Sequence, residues 1–162
     1  MQSRTLPNLS LIALIASCFI QVGAQLFAIL VIVRTVISAP PRSFAIFEGA
    51  YGYDSGFFWE TVPPITLLLF VMAMVANWRN TRRNLLIGAF TLFLVGGAIA
   101  GVFLEPAFAE FMRIGYSDTV DPALQSRAAT WYKYDVSVWL FGLAAGITLL
   151  VALARPVTNR AT

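Results

Sequence analysis

Residues 65–104 read ITLLLFVMAMVANWRNTRRNLLIGAFTLFLVGGAIAGVFL, and this stretch decides the fold. Two long apolar runs flank WRNTRR, residues 78–83, which holds three arginines and no acid. A helix needs roughly 20 mainly apolar residues to cross about 30 Å of hydrocarbon. The second run meets that length directly. The first meets it by starting near Thr61, which puts Pro63 and Pro64 in the first turn, where a missing N–H is harmless. Two membrane helices joined by a short basic turn are therefore expected.

Two further runs of the same kind lie at either end of the chain. Spans are read at residues 9–33, 61–78, 85–104 and 135–154. The predicted fold is all-α: one integral membrane domain over residues 1–162, built as a bundle of four transmembrane helices. Composition agrees, with 59% hydrophobic residues, 12% charged and a mean hydropathy of +0.77. Soluble domains hold about 45–50% apolar and about 25% charged residues. The first run follows Arg4, as in a signal peptide. It is longer than a signal core of roughly 7–15 residues and contains Gln21 and Gln25, so it is read as retained.

Charge sets the expected orientation. With the N-terminus inside, the inner segments hold Arg4, Arg79, Arg82, Arg83, Arg155 and Arg160, and no acid. The outer segments hold five cations against all eight acids, a net charge of −3. Cations concentrate on the cytoplasmic side of membrane proteins. Both termini are thus predicted to be cytoplasmic, and the chain is expected in a bacterial plasma (inner) membrane. The sequon at Asn8 falls on the wrong side for glycosylation. The basic pI of 9.4 follows from this topology, and nucleic acid is not an expected partner.

Several chemistries are excluded by residue type. The chain has no histidine, which removes haem held by histidine, zinc sites with histidine ligands and Ser-His catalysis. Its single cysteine, Cys18, has no partner for an internal disulfide. No phosphate loop, nucleophile elbow, C-x-x-C or H-E-x-x-H motif is present. No cofactor and no metal is called for.

Inside the bilayer, small residues allow helices to approach closely. Gly97-x-x-x-Gly101 and Gly142-x-x-x-Gly146 each put two glycines on one face; both faces are read as packing within the bundle, with a homodimer seam as the alternative. Ser17, Gln21 and Gln25 recur at steps of four on one face. Unpaired amides are costly in hydrocarbon, so this face should look inward. It serves either helix–helix hydrogen bonding or the floor of a polar cavity.

The two outer segments, residues 34–60 and 105–134, are long, and long loops in small domains are often functional. The first carries FEGAYGYDSGFFWE at residues 47–60. Its rings form either an interfacial belt or a lid over a ligand, and Trp59 is placed against that ligand in the second case. In the other segment, Leu104, Phe108, Phe111 and Met112 are spaced for one helical face, so the third helix should continue past Pro106. Asp121 and Pro122 form a helix start. That helix should run into the fourth span, with Trp131 and Tyr134 at headgroup level.

Arg34, Glu60, Glu105, Lys133 and Asp135 sit near outer span ends, where four helices would converge. They are read either as end markers or as a site. In a site, Glu105, Glu60 or Asp135 supplies a base and Arg34 holds an anionic oxygen. Trp59, Trp131, Tyr134, Gln21 and Gln25 would then contact the ligand.

Arg34, WETVPP at residues 59–64, EPAF at 105–108 and RAATWYKYD at 127–135 together resemble the anthrone-oxygenase-like family of small four-span membrane proteins. The chain departs from that pattern at Asp135, where the family has a histidine, and at Ala107 and Phe108, where it has an asparagine. The long outer loops put any pocket on the outer face, and the resemblance implies a cofactor-free, oxygenase-like or unknown activity on a flat aromatic or quinone-like molecule. The alternative from the residues is a non-catalytic accessory or structural subunit. The expected partners are the lipid bilayer, a small aromatic ligand, and either further copies of the chain or a larger membrane complex.

Overall fold

The computed structural model describes residues 5–156, so Arg4 and Arg160 lie outside the described residues. Four helices carry the fold: α1 Thr5–Val36, α2 Gly56–Ala76, α3 Arg83–Ile114 and α4 Pro122–Ala154. Each is long and apolar enough to cross a membrane. At 1.5 Å per residue, α2 roughly matches the hydrocarbon thickness, while the other three overshoot it by several turns. The excess is what builds a cap at the end away from the termini. Among the described residues there is no strand, only an isolated antiparallel bridge between Pro41 and Val120.

α1 and α3 both widen into π-helix, at Ala28–Val33 and Ala100–Leu104. α3 passes through its π segment and Pro106 and continues to Ile114, where Gly115, at φ 68°, ends it in a conformation that other residues rarely adopt. Asp121 caps α4 as its sequence predicts, accepting the Ala123 amide at 2.8 Å. The long second outer loop expected at residues 105–134 is accordingly mostly helix. α2 corrects a further expectation. It starts at Gly56, after Asp54 accepts the Gly56 amide at 2.7 Å, so Pro63 and Pro64 lie two turns inside the helix. Trp78 falls beyond the end of α2.

α4 packs along α3 and α1, and α1 packs along α2; α2 and α3, although joined by a short turn, meet only sparsely. The bundle is therefore open along the α2–α3 seam. Its main core is in the half that carries the termini, around Leu11, Leu14, Phe70, Leu86, Ala89 and Leu149. A second core lies in the cap, where Val36, Phe44, Phe111, Leu124 and Ala128 meet. A short 3₁₀ helix, Arg42–Phe47, brings Phe44 there.

The two glycine faces differ. A Cβ on Gly146 would come within 3.2 Å of the Phe19 ring, and one on Gly142 within 3.5 Å of Val22, so this face packs against α1. Gly97 and Gly101 are exposed, and a Cβ on either would meet nothing. Packing of α3 within the bundle uses Gly96 instead, where a Cβ would come within 3.3 Å of the Phe141 Cβ. The expected inward role of Gly97 and Gly101 is thus corrected. The i, i+4 spacing is the same on both faces, but it does not say which way the helix is rotated.

At the termini end, Arg82 is only 3% exposed. Its Nε donates to the Arg155 carbonyl at 2.8 Å, Nη2 to the Leu153 carbonyl at 3.0 Å, and Nη1 to the Asn8 side chain at 2.6 Å. The last carbonyls of α4 have no helical partners, and Arg82 supplies them. Burial lowers its pKa from the ordinary arginine value. Buried Asn77 donates to the Pro7 carbonyl at 3.2 Å and the Ala73 carbonyl at 2.9 Å. The start of α1, the end of α4 and the α2–α3 turn are thereby tied at one end.

Candidate functional site

A groove of about 250 Å³ opens between the cap portions of α3 and α4. The α3 wall is Phe103, Ala107 and Phe111, at steps of four. The α4 wall is Ser126, Thr130 and Tyr134 beside Arg127 and Trp131, two rows of the same period. This geometry depends on α3 staying helical past Pro106 and α4 starting at Pro122. Neither wall would exist if the helices ended at the membrane boundary.

Aromatic contacts shape the groove. Phe103 and Tyr134 stack with centroids 4.6 Å apart and planes 6° from parallel. Trp131 lies 6.2 Å from Phe108 in near-parallel array and 6.0 Å edge-on to Phe111. Its indole N–H donates to the Leu104 carbonyl at 3.2 Å, at the end of the α3 π segment. That bond fixes the ring as a wall. Arg127 and Glu110 form an ion pair beside the groove. Because both are solvent-exposed, the pair contributes little to stability. Together these groups offer flat apolar faces with one ion-paired arginine at the edge. That suits a planar molecule with a polar margin.

From the side opposite the groove, residues 37–55 strap the cap. Phe44 packs on Phe111 at 5.7 Å and Phe47 edge-on to Phe108 at 5.6 Å. The Gln125 side chain donates to the Ser38 carbonyl at 3.1 Å. The expected lid of rings therefore divides. Phe47 and Tyr53 pack together, whereas Tyr51 and Phe57 are exposed. Gly52 has to be glycine, since a Cβ would sit 2.3 Å from the Phe47 carbonyl oxygen.

The Ser17, Gln21 and Gln25 face looks inward. Thr66 of α2 donates to the Val62 carbonyl at 2.9 Å, so its hydroxyl is free to accept. It accepts from Gln21 at 2.5 Å and pairs with Ser17 at 2.6 Å. One turn higher, Gln25 donates to the Asp135 carboxylate at 3.0 Å and to its backbone carbonyl at 3.3 Å. Asp135 is buried. One turn further along α4, the Trp139 indole N–H is buried with no acceptor among the described residues.

Arg34, Glu60, Glu105 and Lys133 are exposed and join no ion pair among the described residues. Trp59 is half-buried, edge-on to Phe58 at 4.9 Å. Of the expected ligand contacts, Trp131 and Tyr134 share the groove, while Gln21, Gln25 and Trp59 are not among its lining. Phe103, Ala107, Arg127 and Thr130 line it unforeseen. The spacing of 103, 107 and 111 is a legible signal, but one shared with any packed helix. Thr66 and Trp139 give no sequence signal of their own, because their neighbours are apolar. No protein-family profile, curated protein or solved structure matches this chain.

Proposed function

We propose that this membrane protein binds a flat aromatic or quinone-like molecule in the groove between α3 and α4. The observation that carries the reading is the parallel Phe103–Tyr134 pair, with Trp131 as a fixed wall and Arg127 at the edge. Aromatic faces stack with planar groups, and the Arg127 N–H groups not taken by Glu110 suit a carbonyl margin. The charge distribution supports placing the termini in the cytoplasm and the groove on the outer side of a bacterial plasma membrane. Titration of the purified protein with 1,4-naphthoquinone tests the binding. Quenching of tryptophan fluorescence should saturate, and Phe103→Ala and Tyr134→Ala should abolish the saturation. Linear quenching that both variants preserve means simple partitioning into detergent, and defeats the reading.

The oxygenase-like extension comes from the family resemblance. The base role for Glu105, Glu60 or Asp135 and the oxyanion role for Arg34 come from their places near the outer span ends. Of these, Asp135 supports it best, being a buried carboxyl next in sequence to the groove residue Tyr134. Oxygen uptake with anthrone as the probe, lost in Asp135→Asn, is the expected result. No uptake above that of empty vesicles leaves the protein a binder.

One observation favours a second reading, a subunit of a homo-oligomer or larger membrane complex. The sparse α2–α3 seam exposes Gly97 beside Pro63, Pro64 and Leu67. Close helix approach uses such faces. Native mass spectrometry after mild extraction should then find a stoichiometric partner that Gly97→Val removes; a chain migrating alone contradicts it.

A further inference from the structure

The termini end carries a charge arrangement that the groove does not use. All eight acids of the chain lie outside this end, in the outer segments and at Asp135. Among the described residues, the turn and the end of α4 bring Arg79, Arg82, Arg83 and Arg155 together, since Arg82 binds the Arg155 carbonyl. Arg82 is committed to acceptors within the chain. Arg79 and Arg155 are exposed and join no ion pair among the described residues. Arg83 lies over the Trp78 ring, 5.3 Å from its centroid, and its buried Nε has no acceptor among the described residues. Trp78 is itself 53% exposed, just past the end of a membrane helix, the level at which indoles meet lipid headgroups.

We infer that Trp78, Arg79, Arg83 and Arg155 form a site for the phosphate headgroup of an anionic glycerophospholipid in the surrounding leaflet. The cation–π contact with Trp78 keeps the Arg83 guanidinium beside the ring, at the headgroup level. A guanidinium so held presents a fork of donors that matches two phosphate oxygens. The neighbouring arginines add charge, and no Asp or Glu stands among the described residues at this end. A phospholipid fits better than free phosphate because the flanking helix surfaces are apolar. Exposed Ile87 follows Arg83 on α3, and exposed Val75 precedes Trp78 on α2, so an acyl chain would lie along the protein while the phosphate meets the arginines.

The full-length protein is reconstituted in vesicles of phosphatidylcholine with and without phosphatidylglycerol. Lipid retained after mild extraction is counted by native mass spectrometry. Phosphatidylglycerol should be retained preferentially. Arg83→Gln and Trp78→Leu should each weaken that preference about fivefold, the size of one arginine contact at an anionic surface. Arg34→Gln, a cation at the opposite end, should leave it unchanged. Circular-dichroism melting confirms that each variant is folded, and having two variants keeps the test open if one is not. The proposal is overturned if phosphatidylglycerol is not preferred, or if Arg34→Gln weakens retention as much as Arg83→Gln. It is also overturned if inorganic phosphate displaces the lipid from the wild-type protein as readily as added phosphatidylglycerol does, which would make free phosphate the ligand.

Discussion

Gln25 of α1 donates its amide to the Asp135 carboxylate of α4 at 3.0 Å, and the same nitrogen reaches the Asp135 backbone carbonyl at 3.3 Å. The pair lies between the two apolar cores and joins helices that are far apart in sequence. Nearby, Thr66 ties α2 to α1 through Ser17 and Gln21. Three helices are thus registered by side-chain hydrogen bonds.

A double-mutant cycle with Gln25→Leu and Asp135→Leu should show this coupling. Hydrogen bonds between membrane helices average about 0.6 kcal/mol and reach about 1.7. Because Asp135 is buried, the coupling should fall in the upper half of that range. Unfolding in mixed micelles measures it, and additive single changes would show that the pair does not hold α1 to α4.

Arg82→Ala should be among the most damaging substitutions at the termini end, costing about 3 kcal/mol. It removes the donor for the Leu153 and Arg155 carbonyls and for Asn8 together. Arg82→Lys should recover only part of the loss, because an ammonium lacks the planar fork. Arg79→Ala, at an exposed position, should stay within about 0.5 kcal/mol. Thermal melts of the three variants rank them, and equal losses at positions 79 and 82 would contradict the assignment.

The glycine faces give a paired test. Gly146→Val pushes new atoms into the Phe19 ring and should cost about 1–3 kcal/mol. Gly97→Val meets open space and should change monomer stability by less than about 0.5 kcal/mol. Reversal of that order, read from melting temperatures, would mean that α3 is rotated from its described position.

Much of this fold is legible in the sequence because its determinants are local. Apolar run length marks four helices, Asp121 and Pro122 mark the start of α4, and the steps of four from Ser17 to Gln25 mark an inward face. What is not legible depends on rotation and neighbour choice. The spacing of Gly97 and Gly101 matches that of Gly142 and Gly146, yet only the second pair meets a partner helix. WRNTRR signals topology through its charge, but the burial of Arg82 depends on Asn8 and Arg155, distant in sequence. For the site, Trp131 and Tyr134 stand out as interfacial aromatics. Their partner Phe103 does not, because the stack forms only once α3 runs on beside α4.

Photoaffinity labelling with an aryl-azide naphthoquinone, followed by peptide mapping, tests the binding proposal most directly. Labels should concentrate on residues 103–111 and 126–134, compete with unlabelled 1,4-naphthoquinone, and vanish in Phe103→Ala with Tyr134→Ala. Labels spread evenly over the lipid-facing helix surfaces, or gathered at residues 63–67 and 93–98 along the α2–α3 seam, would contradict a ligand site between α3 and α4.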